Sequence, residues 1–274
     1  MRRFTNYLIL ILVLVSVSSS PAFPSSFFIY DQYGGTWQDA NKTYQDDSLM
    51  CWAATASNIL AYEGWGTSQY NTATSIFQDY VTHWTNYSGN MSWGWQWWFN
   101  GTVPMYGSKP DVPGEGNYYP TMNFNDYYTY AQGGNLLPTI DLLLHQGKGV
   151  GLVIRGDNGS HAVTVWGYSY SSPRNYTSIF ITDSDDGYYG LQEYPLIWQN
   201  DTWYLGGGYS GWHLVNIQAL GYNPSASGAS MFLEGQTSGN DTVPIAPSWL
   251  LFGSGVFSLF ILRRHGRRLD KQDS

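Results

Sequence analysis

Cys51 is the only cysteine among 274 residues. It heads the run Met50-Cys51-Trp52-Ala53-Ala54-Thr55-Ala56-Ser57-Asn58-Ile59-Leu60, which reads as the start of a buried helix. A thiol in that position meets unpaired backbone N–H groups and the positive end of the helix dipole, and both favour a reactive thiolate. Such a nucleophile needs a base to take its proton, and the base needs a third group to orient its ring. Of the five histidines, His265 lies in the C-terminal tail, His83 in an aromatic segment, His145 on a helix and His213 beside Trp212. His161 differs, because it opens a strand directly after the turn Asp157-Asn158-Gly159-Ser160. The returning strand ends at Asp183-Ser184-Asp185-Asp186, so a hairpin carries His161 and Asp183 to one edge of a sheet. Taken singly, Cys51 fits a small core residue, His161 a satisfied strand histidine and the acidic run a solvated turn. A helix-start Cys, a strand-start His and a strand-end Asp, in that order, point to a Cys-His-Asp triad. No His/Cys/Asp group has metal-ligand spacing, so neither metal nor cofactor is expected.

The elements that must hold these residues follow from local pattern. Phe27 to Trp37 reads as an extended lead-in with Gly34-Gly35 as a turn, and Ser48 as the cap of the Cys51 helix, which Gly64 and Gly66 end. Thr67 to Val81 reads as a second helix and Leu136 to Gln146 as a third. Strands are expected at Gly149–Arg155, His161–Tyr168 and Ser178–Thr182, with one or two more between Trp198 and Leu220. Between His83 and Gly134 the chain is rich in Trp, Tyr, Asn, Gly and Pro, and includes Trp93-Gly94-Trp95-Gln96-Trp97-Trp98. That segment suits packing on itself or lining a groove more than stacking against sugars.

The two ends read as addresses. Arg2-Arg3, an apolar run from Tyr7 to Val17 and Ser20-Pro21-Ala22 make a secretory signal over 1–22. Residues 23–221 form the expected catalytic domain, 222–242 a Gly/Ser/Asn-rich linker and 243–274 a C-terminal tail. The tail runs from Val243-Pro244 through an apolar stretch ending at Leu262 to Arg263-Arg264-His265-Gly266-Arg267-Arg268. It resembles the PEP-CTERM/VPxxA sorting signals of Gram-negative bacteria. That resemblance implies an exosortase-type sorting enzyme as partner and delivery to the cell surface or extracellular matrix. An ordinary anchor would have the same topology, with membrane contact only through this C-terminal segment. From Phe23 to Thr242 the basic residues are Lys42, Lys109, Lys148, Arg155 and Arg174, against eighteen acids, so nucleic acid is excluded as a partner. A single cysteine in an exported chain forms no internal disulfide and is flagged as a reactive thiol.

The motifs Leu49-Met50-Cys51 with Ala53-Ala54-Thr55-Ala56, Asn41-Lys42-Thr43-Tyr44, Gln146-Gly147-Lys148, His161 to Trp166-Gly167 and Thr182-Asp183-Ser184-Asp185 resemble the IdeS/Mac family of papain-like cysteine endopeptidases, which degrade immunoglobulin. The resemblance covers most of Asp31 to Leu220 and is weak in the aromatic middle. It implies an α+β, papain-like fold in which an N-terminal helix carrying the nucleophile packs against an antiparallel sheet. It also implies Cys51 as nucleophile, His161 as general base and acid, Asp183 as its orienting carboxylate, Asp185 as support and Lys42 as oxyanion-hole donor. Gln45, six residues before Cys51, stands where papain-like enzymes in general place an oxyanion glutamine, so it remains an alternative to Lys42. The implied function is a secreted endopeptidase acting on a protein substrate through a thioester. An acyltransferase or amidase using the same triad, and a non-catalytic adhesin or glycan-binding module, are the rival readings.

Overall fold

The structure is a computed structural model, and it describes residues 25–103, 110, 115–157, 159–185, 187 and 189–226. The expected signal segment, the linker beyond Ala226 and the C-terminal tail lie outside the described residues. Among the described residues no helix is long and apolar enough to cross a membrane.

Eight strands form one antiparallel sheet: β1 (Ser25–Phe28), β2 (Tyr128–Gln132), β3 (Gly149–Gly156), β4 (Gly159–Ser172), β5 (Asn175–Thr182), β6 (Gln192–Gln199), β7 (Thr202–Leu205) and β8 (His213–Leu220). Six of them run in the order β4-β3-β8-β7-β6-β5, and β5 pairs back with β4, so the sheet closes into a barrel. β1 adds to β4 and β2 to β8 outside that ring. This closed ring overturns the expected papain-like fold, in which an N-terminal helix carrying the nucleophile packs against an antiparallel sheet. The stave of the ring that the sequence reading lacks is β6. Pro195 in the middle of β6 argues against a strand, yet it sits where its carbonyl still accepts from Gly206 N at 2.8 Å. Asn200 and Asp201 both have positive φ, 50° and 57°, the turn geometry that matches the right-handed twist of a hairpin.

Strand alternation sorts the side chains between two cores. Val150, Leu152 and Ile154 of β3 join Val163, Val165, Ile179, Ile181 and Ile217 in one cluster. Their neighbours Gly151 and Val153, with Ala162 and Leu220, face the helical side. There α2 (Cys51–Tyr62), α3 (Ala73–His83) and α4 (Met91–Asn100) supply the second core. Gly151 is required at this seam, because a Cβ there would lie 2.2 Å from Met91 Sδ. Gly167 is required on β4, where a Cβ would meet the Phe27 carbonyl at 2.2 Å.

The remaining helices differ from expectation in detail. The lead-in after β1 is a short helix, α1 (Ile29–Tyr33), and not extended chain. α3 starts later than expected, at a Thr72/Ser75 capping box. The aromatic run is itself helical: α4 is capped by Asn90, and Trp95, Trp97, Trp98 and Phe99 are fully buried. Each such side chain stabilises the fold by roughly 1.5–3 kcal/mol, and none of these four rings is available to stack on a sugar. α5 (Leu137–His145) completes the set and packs its Leu137, Ile140 and Leu144 into the barrel-side cluster.

Glu63, at the end of α2, is a costly feature of this packing. Its side chain is buried and neither carboxyl oxygen makes a hydrogen bond of normal geometry among the described residues. Burial pushes its pKa well above 4.5, and the Gly149 amide and Lys148 offset this only in part. The fold therefore holds the proton more tightly than the unfolded chain does. Stability from this group is complete below about pH 4.5 and is lost as pH rises toward the folded pKa. Glu63→Gln should therefore flatten the pH dependence. Relative to the native chain it should gain roughly 1–3 kcal/mol in urea unfolding between pH 5 and pH 8. An unchanged difference between the two pH values would refute this reading of Glu63.

Candidate active site

Cys51 is the first residue of α2, and its helix cap is Met50, with no side-chain cap. Ser48 is not the cap. Its hydroxyl accepts from Asn86 Nδ2 at 3.2 Å, and its carbonyl accepts from Lys42 Nζ at 3.3 Å. The chain enters the helix through a loop folded around the buried Asp47 carboxylate. Asp47 accepts from Thr43 N at 2.7 Å, Thr43 Oγ1 at 3.1 Å and Tyr44 N at 2.6 Å. Tyr44 takes positive φ, 62°, at the corner of that loop. Because Cys51 and Trp52 open the helix, their N–H groups have no intrahelical carbonyl to bond and remain available as donors.

His161 begins the part of β4 that lies over α2, paired with Ile154 of β3. Three residues on, Thr164 pairs with Thr182 of β5, so Asp183 emerges at the same end of the hairpin as His161. His161 Nε2 and Asp183 Oδ1 are 2.6 Å apart. With Nε2 so engaged, the His161 ring and the Cys51 thiol border one cavity, near enough for the thiol to influence the imidazole. Burial pulls the His161 pKa down. Hydrogen bonds to Asp183 and Cys51, with the charges of both, outweigh it and raise the value from 6.5 to about 10. Asp183 is 1% exposed. Burial opposes its ionisation, but His161, Tyr209 and the Asp185 N–H, at 2.9 Å from Oδ1, together hold its pKa below the ordinary value.

Asp185 and Lys42 form a second tier. Asp185 Oδ2 stands 3.6 Å from His161 Nδ1, and Oδ1 is ion-paired with Lys42 Nζ, whose side chain is buried. Two of the three Nζ donors are thus used, by Asp185 and the Ser48 carbonyl. Lys42 borders a cavity of about 230 Å³ together with Asp39, Tyr44, Asp183 and Tyr189. Cys51 and His161 border a different one, of about 220 Å³. Gln45 is exposed on the surface of the Asp47 loop and borders neither cavity.

Two participants carry no mark in the sequence. Tyr209, in the turn Gly207–Tyr209 after β7, donates its hydroxyl to Asp183 Oδ2, and its ring lies nearly parallel to that of His161 at 6.2 Å. Asp47 reads as one more acid in a polar run, yet it shapes the loop that carries Lys42. Neither has a spacing to the triad that sequence alone could use. Among the described residues no group of three or more His, Cys, Asp or Glu side chains is placed to hold a metal ion.

No protein-family model matches the chain, and no curated protein matches it either. The site is therefore argued from its own geometry. His161 is bonded to Asp183 and borders one cavity with Cys51, and a thiol, an imidazole and a carboxylate so grouped can generate a nucleophilic thiolate next to an imidazolium.

The two aspartates should separate cleanly by substitution. Asp183→Asn removes the hydrogen bond and charge that raise the His161 pKa, so alkylation of Cys51 by iodoacetamide at pH 7 should slow by about 10- to 100-fold. Asp185→Asn, whose charge Lys42 already neutralises, should slow it by less than about 3-fold. Equal effects of the two changes would show that Asp183 is not the orienting group.

Proposed function

We propose that the protein is a cysteine endopeptidase that hydrolyses peptide bonds through the Cys51-His161-Asp183 triad. The observation that carries this reading is the imidazole bonded to a buried carboxylate on Nε2 and bordering the same cavity as the helix-start thiol. The Cys51 proton passes to His161, and the thiolate attacks the substrate carbonyl. Negative charge then develops on the carbonyl oxygen. The Cys51 and Trp52 amides at the helix start, on the thiol's own cavity, are the donors for it. His161 returns its proton to the leaving amine as the C–N bond breaks, which leaves a Cys51 thioester and a free amino terminus. Water then loses a proton to His161, adds to the thioester and releases the acid, restoring the thiol. Asp183 stays ionised throughout and fixes the ring, and Tyr209 keeps Asp183 in place.

The two ends of the chain support export. The signal-like segment at 1–22 and the apolar, arginine-flanked tail at 243–274 fit a protein sent to the cell surface or matrix. The acidic surface suits protein substrates over nucleic acid.

The purified chain, incubated with a mixture of unfolded proteins, is expected to release new amino termini. Cys51→Ala is expected to lower that release by at least about 10³-fold. With a primary amine added, hydrolysis products should still dominate. Amide products in their place would make the protein an acyltransferase, and equal release by the native chain and Cys51→Ala would rule out the triad as the source of activity.

A further inference from the structure

The cavity beside Cys51 has mixed walls, to which Ser88, Asn90 and Ser160 contribute polar side chains, and one deeply buried polar group on them has nothing to bind. Met91, Val153 and Ala162 border it along with the thiol and the imidazole, and so does Gln218 of β8. Gln218 is 1% exposed. Its amide has a definite orientation, because the Ser92 backbone N–H can only donate and lies 2.9 Å from Oε1. Nε2 is therefore the free end. The described residues offer it no hydrogen-bond partner, and it is not sealed away from the cavity. Buried amide N–H groups are almost always paired, so an unpaired one facing an open cavity is a donor waiting for a ligand.

The rest of the lining narrows what that ligand can be. Apart from His161, which Asp183 and Cys51 engage, no cation borders the cavity. A carboxylate entering it would shed its water against neutral donors with no free cation to balance its charge, which is unfavourable. A purely apolar side chain would leave Nε2 unpaired, which is unfavourable too. At about 220 Å³ the space exceeds that of engineered cavities which admit benzene, at roughly 150 Å³.

We propose that this cavity is a specificity pocket, and that Gln218 Nε2 selects a substrate side chain bearing a neutral hydrogen-bond acceptor, the amide carbonyl of asparagine or glutamine. The proposal rests on Cys51 being the nucleophile, since it is the thiol that borders the pocket. Gln218 acts here as a recognition residue and takes no part in proton transfer.

The test uses the full chain and pairs of short peptidyl vinyl sulfones that differ only in carrying asparagine or the isosteric leucine at one position. The rate of Cys51 labelling is the readout. The native chain is expected to react about 10-fold faster with the asparagine reagent at one position, and Gln218→Leu to reverse that preference. Gln218→Glu, which presents acceptors in place of a donor, should favour lysine at the same position. In both variants the Ser92 N–H keeps Asn90 Oδ1 as a partner at 3.1 Å, and an unchanged iodoacetamide rate confirms an intact site. Equal asparagine and leucine rates in the native chain and in Gln218→Leu overturn the pocket, whether or not protein is hydrolysed. An asparagine preference without protein hydrolysis keeps the pocket and overturns the peptidase reading. Labelling no faster than that of free cysteine by any of the reagents overturns both.

Discussion

Between His161 Nε2 and Asp183 Oδ1 there are 2.6 Å, and at that separation a buried carboxylate holds an imidazole in one tautomer and one orientation. The ring is thereby held on the cavity it shares with Cys51, and it keeps its proton tightly. Burial alone would strip that proton, since desolvation disfavours the charged ring. The carboxylate and the thiol reverse the sign. Everything else around the site serves to keep this carboxylate ionised and still: the Tyr209 hydroxyl, the Asp185 amide, and a second ion pair behind it between Asp185 and Lys42.

Closure of the sheet gives this arrangement its rigidity. His161 and Asp183 sit at the end of a hairpin whose strands are fixed on both outer sides, β4 by β3 and β5 by β6. A slip of one residue in any of these registers would turn inward-facing valines and isoleucines outward, so the register is strongly held. Cys51 comes from outside the barrel. Its helix docks through small residues and a buried polar link, Asn58 Nδ2 to Thr164 Oγ1 at 2.9 Å, on the same strand that carries His161. One wall of the barrel thus sets the distance between thiol and imidazole.

The positions of the candidate residues were more legible than the architecture. A lone cysteine before an alanine-rich helix, and a histidine and an aspartate at one end of a hairpin, are local patterns, and the fold brings those residues together. Closure of the barrel is not a local pattern. It depends on β6, which Pro195 disguises, and on a single β7–β8 pairing, Tyr204 with His213, that no alternation reveals. The tryptophan run shows no element in its local pattern because Gly94 and the flanking asparagines and glycines suggest turns, while its all-round apolarity is the mark of a fully buried helix. Gln218 looks like an ordinary polar position on β8. Only the packing of α4 over that strand makes it the floor of a cavity.

The account stands on a protonated His161 beside the thiol, and NMR titration of the His161 ring in the full chain measures that directly. The ring should stay protonated through neutral pH and titrate near 10, and in Cys51→Ala it should fall back toward 6.5, because the thiol's hydrogen bond and charge are part of what raises it. A His161 that titrates near 6.5 in both proteins would contradict the thiol–imidazole pair on which the proposed chemistry depends.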